Sequence, residues 1–469
     1  MRQTLGLSIG HSAATVSKIE PKGYLMSDTW LTATASDLGR GIAAGDIDPI
    51  ALTETYLDAA ESHEFSMRIY THVTYDRAMS EAKAARARAD ENLRHSLLDG
   101  VPISWKDLVD TAGIETKAGT NLLSGRIPTH DGECLQNATR AGLVCVGKTH
   151  MSELAFSGLG VNPITATPPC VNDHDAAPGG SSSGAGTSVA FNTAAAGIGS
   201  DTGGSVRIPA AWNDLVGLKT TATLVSLKGV VPLAESFDTI GPLCRSVEDA
   251  AHLLGVLTGG TIPDLTNASL AGRHFAICKT SALDDLEPSV AQGFVTAVAK
   301  LANAGAKITE LDIPFMPEAL SLSSVLFTAE AYAEWKTELE ATPEVMFPEI
   351  LERFRIGLSH SAVDYVRNHK RMMQLRSEYN ALTAPFDAVL MPTAPVMPPN
   401  VKRLETDSEF YQRINLLALR NTRIGNLMGL CALTLPTDEK SVGLMALSAP
   451  FSEAKLLRVG AAMESALRN

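Results

Sequence analysis

The sequence predicts an α/β protein. Short apolar segments of strand type alternate along the chain with longer segments of helical periodicity, and this alternation favours helices layered against a sheet. Of the 469 residues, 45% are hydrophobic and 19% are charged, and the mean hydropathy is +0.06. This balance is typical of a large buried interior rather than of disorder. No internal repeat divides the chain.

Helix and strand signals follow one another in the N-terminal part. Between residues 35 and 64, apolar positions recur at helical spacing on both sides of Gly45-Asp46, which predicts two helices. A segment rich in Ala, Arg and Glu predicts a further helix over residues 75–94. The apolar segment 101–105 then predicts a strand that leads into Lys106.

The same alternation continues through the rest of the chain. Short apolar segments predict further strands, and longer periodic segments predict further helices. The strands cover residues 143–146, 194–199, 274–278 and 386–391, and the helices cover residues 288–304 and 362–382. We therefore expect a central sheet flanked by helices.

The chain is interpreted as a loose N-terminal arm, residues 1–28, and a single domain, residues 29–469. The arm has only a short apolar stretch at residues 5–9, which is too short for a secretory signal or a membrane span. Pro and Gly are concentrated at residues 162–180 and 392–399, but the flanking segments do not differ in composition. We therefore place no domain boundary there.

The charge balance argues against a polyanionic partner. The chain has 39 basic and 52 acidic residues and a net charge of −13, so no general attraction to nucleic acid or to an anionic membrane is expected. A small neutral substrate fits this composition better. The six cysteines form no C-x-x-C pair and are too sparse for a disulfide framework, which predicts a cytoplasmic protein. No metal-ligand spacing is evident, and no cofactor is expected.

Two clusters of glycine and serine carry the strongest functional signal. The first is Gly179-Gly180-Ser181-Ser182-Ser183-Gly184, and the second is Gly199-Ser200-Asp201-Thr202-Gly203-Gly204-Ser205-Val206-Arg207. Glycine is used where the main chain takes a positive φ or comes close to a ligand. Hydroxyl groups beside free backbone N–H groups are the parts of an acyl-transfer site, namely a nucleophile, a proton relay and an oxyanion hole.

Other interpretations of the clusters are weaker. A flexible linker would not have structured patterns on both sides, and a phosphate loop would need a G-x-x-x-x-G-K-[ST] match, which the chain lacks. The pattern G-x-S-x-G occurs around Ser8 and Ser182, but neither serine lies between a predicted strand and a predicted helix, as a nucleophile elbow requires. No histidine has a sequence context that identifies it as a base.

The clusters, with several other segments, resemble the amidase signature family. The second cluster continues into Ile208-Pro209-Ala210, as in that family. Further matching segments are Leu98-Asp99-Gly100-Val101-Pro102, Lys106-Asp107, Gly147-Lys148-Thr149, Gly217-Leu218-Lys219 and Asp238-Thr239-Ile240-Gly241-Pro242, with a weaker match at residues 451–457. The resemblance implies an amidase-signature fold with a mixed β-sheet core and α-helices on both faces.

The resemblance also implies a role for each matching residue. Ser205 would be the nucleophile, Ser181 a relay serine that follows a cis peptide bond, and Lys106 the base. A lysine base must be neutral, which requires burial that lowers its usual pKa of about 10.4. Its own segment, taken alone, favours instead an ion pair of Lys106 with Asp107 or another acid. The oxyanion hole would be formed by Thr202, Gly203, Gly204 and Ser205, and the supporting residues would be Ser182, Asp201 and Arg207.

The activity implied by the resemblance is hydrolysis of a carboxylic amide to an acid and ammonia or an amine. The alternative is the glutamine-hydrolysing A subunit of a tRNA-dependent amidotransferase, which would need a partner protein. A non-catalytic scaffold is disfavoured because the three catalytic residue types are all present. Expected partners are a small-molecule amide and, by resemblance, a second copy in a homodimer. Candidate specificity segments are residues 151–160, 161–170 and 323–327, with Trp212.

Overall fold

A computed structural model describes residues 27–468. Most of the predicted N-terminal arm, residues 1–26, lies outside the described residues, and Ser27 and Asp28 begin the first helix. Within the described residues one eleven-stranded sheet runs through the protein. The strands are β1 (Tyr70–Val73), β2 (Pro102–Lys106), β3 (Val144–Thr149), β4 (Ala196–Ser200), β5 (Val216–Lys219), β6 (Ile240–Cys244), β7 (His274–Cys278), β8 (Lys307–Leu311), β9 (Ala388–Pro392), β10 (Cys431–Pro436) and β11 (Gly443–Ser448).

Helices connect and cover these strands. They are α1 (Ser27–Thr32), α2 (Ala35–Ala44), α3 (Pro49–Ser62), α4 (Ser66–Ile69), α5 (Tyr75–Asp90), α6 (Glu133–Arg140), α7 (Ser183–Ala190), α8 (Arg207–Trp212), α9 (Val247–Thr258), α10 (Pro288–Asn303), α11 (Met316–Ser321), α12 (Ser323–Ala341), α13 (Pro348–Arg355), α14 (Ala362–Thr383), α15 (Val401–Thr406), α16 (Ser408–Ala418), α17 (Arg420–Leu427) and α18 (Glu453–Arg468). Short 3₁₀ turns lie at Asn121–Leu123, Glu153–Ala155, Pro343–Val345 and Ile356–Ser359.

The sheet is mixed. Its strand order is β1-β3-β2-β4-β6-β5-β10-β11-β9-β7-β8. Strand β2 pairs in parallel with β3 on one side and with β4 on the other, whereas β4 pairs with β6 in the antiparallel sense. Because parallel neighbours end at the same edge of a sheet, the C-terminal residues of β2 and β4 lie side by side. The α/β fold class and the mixed sheet predicted from the sequence are confirmed.

The predicted elements are found with small shifts in their ends. The two helices expected between residues 35 and 64 are α2 and α3. Gly45 ends α2 in the left-handed conformation, with φ 75°, and the Asp48 side chain accepts a hydrogen bond from the Ile50 N–H at the start of α3. The predicted strand 101–105 is β2, so Lys106 is the last residue of the strand rather than the one after it.

The core lies against the central strands. Every residue of β2, β3, β4, β5, β6, β9 and β11 is buried, as expected for strands covered on both faces. The strands that the sequence did not predict include β5, β6, β10 and β11, whose segments are short or contain Gly and Pro. Among residues 27–468, no helix combines the length and apolar character needed to span a bilayer.

Candidate active site

Lys106 and Ser200 meet at the common edge of two parallel strands. Lys106 is the last residue of β2, and Ser200 is the last residue of β4. The Lys106 Nζ donates to Ser200 Oγ at 2.7 Å and to Ser181 Oγ at 2.7 Å. The strand edge therefore brings the predicted base and the predicted relay serine together. Sequence reasoning gave no role to Ser200, although it is part of the second glycine and serine cluster.

Lys106 is buried and has no ionic partner among residues 27–468. Its side chain is fully inaccessible to solvent, and burial lowers its pKa to about 7, with the negative charges of Asp201 and Asp238 acting in the opposite direction. The ion pair with Asp107 that the sequence left open is absent, because Asp107 pairs with Lys148 at 3.0 Å. Lys106 is therefore placed to be neutral near pH 7.

The first cluster forms the loop that enters α7. The peptide bond between Gly180 and Ser181 is cis, as the family resemblance implied. Gly180 has no room for a side chain, since a Cβ there would collide with the backbone N of Gly160 and lie 2.6 Å from Ser152 Oγ. The Ser152 N–H in turn donates to the carbonyl of Ser181 at 3.1 Å. Neighbouring backbone thus holds the loop against Lys106.

Ser182 connects the two clusters. Its Oγ donates to the carbonyl of Ser200 at 3.1 Å and accepts from the Ser200 N–H at 3.2 Å. Its own N–H donates to the carbonyl of Ser205 at 3.2 Å. The structure therefore places Ser182 in a supporting position between the loop of Ser181 and the loop of Ser205.

Ser205 lies just before α8 and faces a small chamber. It is 3% exposed, and it lines the chamber together with Thr202 and Gly203. Within residues 27–468, no protein group is hydrogen-bonded to its Oγ. The Ser205 hydroxyl is therefore free to contact a bound substrate, as a serine nucleophile must be.

The backbone that precedes Ser205 has free N–H groups. In the described part of the chain, the N–H groups of Thr202, Gly203, Gly204 and Ser205 have no protein acceptor. Gly204 has φ 142°, and a Cβ there would collide with the side chain of Thr422, so only glycine fits. Backbone N–H groups without an acceptor beside a serine are the kind of donor that can bind a developing oxyanion.

Asp201 and Arg207 form a fully buried ion pair beneath this loop. The Arg207 Nη2 lies 2.8 Å from Asp201 Oδ1, and neither side chain is exposed. Asp201 also accepts from the Val206 N–H at 3.1 Å and from Asn426 Nδ2 at 2.9 Å. Although burial alone would raise it, the pKa of Asp201 is held well below its usual range by the Arg207 guanidinium.

Residues from α17 complete this support, and the sequence gave no signal for them. Arg207 donates to the Thr422 carbonyl at 2.7 Å and to Asn426 Oδ1 at 2.5 Å. Thr202 is fixed on the opposite side of the loop, where its hydroxyl donates to Asp238. This contact fixes the side chain of Thr202, which the sequence predicted as part of the oxyanion hole.

The chamber opens beside a wider cavity. The chamber is about 20 Å³, and the wider cavity is about 430 Å³. Phe156, Phe327, Arg353 and Arg423 line both. Helices α12, α13 and α17 provide the last three of these side chains. The chamber at Ser205 and the wider cavity therefore share a wall of aromatic and arginine side chains.

The cavity corrects part of the predicted specificity region. Residues of the segments 151–160 and 323–327 line the chamber and the cavity, as expected. Trp212 and the segment 161–170 line neither, and the Trp212 Nε1 instead donates to the Val396 carbonyl at 3.2 Å. Arg353 and Arg423 are cavity residues that sequence reasoning missed, because no motif contains them.

Another cavity, of about 710 Å³, is lined by segments around Asp110, Arg126 and Lys228. None of the predicted catalytic residues lines this cavity, so we do not assign it to the active site. Among the described residues, no group of three His, Cys, Asp or Glu side chains is arranged to hold a metal ion.

Comparison with known proteins identifies relatives along nearly the whole chain. The family described as Amidase matches residues 51–457. A 2-amino-5-chloromuconic acid deaminase of Comamonas testosteroni is 33% identical over 423 residues, covering 87% of this chain and 91% of the relative. The A subunit of a glutamyl-tRNA(Gln) amidotransferase from Chloroflexus aurantiacus is 31% identical over 478 residues, covering 92% of this chain and 96% of the relative. A solved structure described as an amidase has a TM-score of 0.84 at 28% identity and covers 93% of this chain and 100% of its own.

Proposed function

This chain belongs to the amidase family and is a hydrolase of carbon–nitrogen amide bonds, and we propose that it acts through an acyl-enzyme formed on Ser205. The observation that carries the proposal is the contact of 2.7 Å between Lys106 Nζ and Ser181 Oγ, at a site where the Ser205 hydroxyl faces the chamber. A buried amine, a relay hydroxyl and a free hydroxyl are the parts of a serine nucleophile and its base.

The first step is attack of Ser205 Oγ on the amide carbonyl. The proton of Ser205 passes to Ser181, and the proton of Ser181 passes to neutral Lys106. In its neutral form the Lys106 amine has a lone pair that can accept a proton. The 2.7 Å contact with Ser181 can therefore carry a proton toward Lys106. The N–H groups of residues 202–205 stabilise the oxyanion, and one such donor is typically worth about 10²–10³ in rate.

The second stage releases ammonia or an amine, and then the carboxylic acid. Protonated Lys106 returns its proton through Ser181 to the leaving nitrogen, which departs as ammonia or an amine and leaves an ester on Ser205. Water then attacks the ester, with the same relay accepting its proton. The free carboxylic acid leaves, and Ser205 recovers its proton from the relay.

The second candidate function is hydrolysis of glutamine as the A subunit of an amidotransferase. It is favoured by the similarity to the Chloroflexus aurantiacus protein, which extends over 92% of this chain. The similarity to the Comamonas testosteroni deaminase, which is named for an acid substrate, favours an enzyme acting on a small molecule. A stand-alone amidase needs only the chamber and the cavity described above, so we place it first.

The proposal extends to the setting of the enzyme. All six cysteines are free and buried, which supports a reducing compartment such as the cytoplasm. We further propose a homodimer, as the family resemblance implied.

Ammonia release by the purified protein from a panel of simple amides tests the function. Ser205→Ala should abolish release, and Lys106→Ala and Ser181→Ala should lower it by about 10²–10⁴, the usual worth of positioned proton transfer. Ser183→Ala is the matched control, because Ser183 lies in the same cluster and its hydroxyl donates to the His150 carbonyl instead. It should retain most activity.

Two outcomes would contradict the proposal. Equal activity of Ser205→Ala and the parent protein would exclude the acyl-enzyme. Release from glutamine alone, and only after addition of a second protein, would support the amidotransferase function instead.

A further inference from the structure

Two arginines line the cavity without an acidic partner. Arg353 is on α13 and Arg423 is on α17, and both line the chamber at Ser205 and the wider cavity. Within residues 27–468, no carboxylate lies within ion-pair distance of either guanidinium. The neighbouring Arg355, by contrast, pairs with Glu340 at 2.9 Å. In the described part of the chain, neither guanidinium is therefore neutralised by a direct ion pair.

The two guanidinium groups are held in place by uncharged groups. Arg423 donates to the carbonyl of Leu416 at 2.8 Å and to the hydroxyl of Ser323 at 3.1 Å. Arg353 lies over the ring of Phe156 at 4.6 Å from its centroid, and in the described part of the chain its N–H groups have no acceptor. These contacts fix the positions of both guanidinium groups, and some of their N–H groups remain available to bind a ligand.

Two glutamates also line the wider cavity, and both are hydrogen-bonded to neighbouring side chains. Glu352 accepts from Arg355 at 3.3 Å, and Glu349 accepts from Gln412 at 3.2 Å. Burial, with the positive charges of Arg353 and Arg420, lowers the pKa of Arg423 to about 9, which leaves it charged at neutral pH. Bringing charge out of water without a counter-ion is costly, so a site of this kind favours an anionic ligand.

The shape of the two spaces indicates where each part of a substrate would lie. The chamber at Ser205 is small, about 20 Å³, whereas the wider cavity of about 430 Å³ can hold the body of a small molecule. Phe156 and Phe327 line both spaces. These rings suit an apolar carbon chain between the amide and a charged end.

We propose that Arg353 and Arg423 bind a carboxylate on the substrate, so that the preferred substrates are monoamides of short dicarboxylic acids. Arginine is suited to this role because its planar set of donors matches the two oxygens of a carboxylate. The inference rests on the proposed function, since it assumes that the amide of the same molecule reaches Ser205. Binding of the carboxylate would hold the amide against the nucleophile.

Matched substrate pairs test the inference. Each pair has the same length and differs only in the terminal carboxylate: succinamic acid with butanamide, glutaramic acid with pentanamide, and adipamic acid with hexanamide. We expect kcat/KM for ammonia release to be about 10- to 100-fold higher for the acid of the best pair, the range expected for hydrogen bonds to a charged group. L-Glutamine, which adds an ammonium group to glutaramic acid, is a further substrate in the panel.

Substitutions of the two arginines test whether they cause the preference for the acid substrate. Arg353→Met and Arg423→Met should each lower kcat/KM for the preferred acid by about 10- to 100-fold and leave its uncharged partner nearly unchanged. Arg353→Lys and Arg423→Lys should recover part of the loss, because they keep the charge. Arg371→Met, which removes an arginine that pairs with Glu318 and lines neither space, is the control and should leave the preference intact.

Calorimetric binding to Ser205→Ala separates this inference from the proposed function. Ser205→Ala should bind the acid monoamide more tightly than its uncharged partner, and removal of either arginine should abolish the difference. Equal binding, or equal loss for both members of a pair, would overturn the carboxylate site even if uncharged amides are hydrolysed. Selective binding of the acid without ammonia release by the parent protein would overturn the proposed function and support the carboxylate site. A preference for L-glutamine, which is itself the monoamide of a short dicarboxylic acid, would support the carboxylate site.

Discussion

Lys106 donates from Nζ to Ser181 Oγ over 2.7 Å, although the two residues are 75 positions apart in the chain. The lysine comes from the end of a central strand, and the serine comes from the loop before α7. The other contact of the amine is also a hydroxyl, that of Ser200. Among the described residues, no carboxylate forms an ion pair with this amine. Its two hydroxyl contacts hold it at the proposed catalytic site.

The rate of amide hydrolysis should depend on the protonation of Lys106. Burial lowers its pKa to about 7, and only the neutral amine accepts a proton, so kcat/KM should rise as pH increases through about 7 and then level off. Below this point the ammonium form predominates, and activity should fall about tenfold for each pH unit. Initial rates of ammonia release across this range measure the profile.

Glu153 provides the control for that profile. It is also buried, and burial raises its pKa to about 7, so it would titrate in the same range. Its carboxylate accepts from Thr120 and from the Phe347 N–H and has no contact with Lys106. Glu153→Gln should therefore keep the pH dependence, and a profile that becomes flat in this variant would assign the titration to the wrong residue.

Ser200→Ala should shift the pH profile toward lower pH. A hydroxyl that accepts from Lys106 stabilises the ammonium form, so its removal lowers the pKa of the lysine further. We expect a loss of about tenfold in activity as well, since Lys106 loses one of its two positioning contacts. Ser200→Thr keeps the hydroxyl and should preserve the midpoint. An unchanged midpoint in Ser200→Ala would show that this contact does not affect the base.

Asp201→Asn should destabilise the fold strongly. The change leaves Arg207 buried without its counter-ion, which typically costs about 3–5 kcal/mol in the free energy of unfolding. Glu318→Gln removes the partner of Arg371 in a pair that is partly exposed and should cost no more than about 1 kcal/mol. Unfolding by urea measures both variants, and equal midpoints would mean that the buried pair does not hold the loop.

Gly204→Ala should impair both stability and activity. Gly204 has φ 142°, and the added Cβ would collide with Thr422, so the loop carrying the N–H groups beside Ser205 must move. Gly113→Ala is the control, since Gly113 has φ 75° but no atom within 4 Å of an added Cβ. We expect a cost of about 1–3 kcal/mol from backbone strain at either position, and a loss of kcat only at Gly204. Full activity of Gly204→Ala would argue against the oxyanion hole at this loop.

The sequence by itself determined the class of the fold and the residues proposed for catalysis. Alternating apolar segments were enough to place β2 and β4, because strands buried on both faces have few other interpretations. The motifs around Lys106, Ser181 and Ser205 indicated the family through their resemblance to the amidase signature. Local patterns also placed α2 and α3, where Gly45 and Asp48 provide the end signals.

Only the tertiary structure decided how these residues meet and what surrounds them. The partner of Asp107 is Lys148 rather than Lys106, a choice that depends on the pairing of β2 with β3 and not on adjacency in the chain. Arg353 and Arg423 come from helices that no motif connects with Ser205, and the tertiary structure brings both to the walls of the chamber and of the wider cavity. The burial and the charge environment of a side chain depend on all of its neighbours in space. The lowered pKa of Lys106, and the lack of a direct ion pair at Arg353 and Arg423 among the described residues, therefore follow from packing between distant segments.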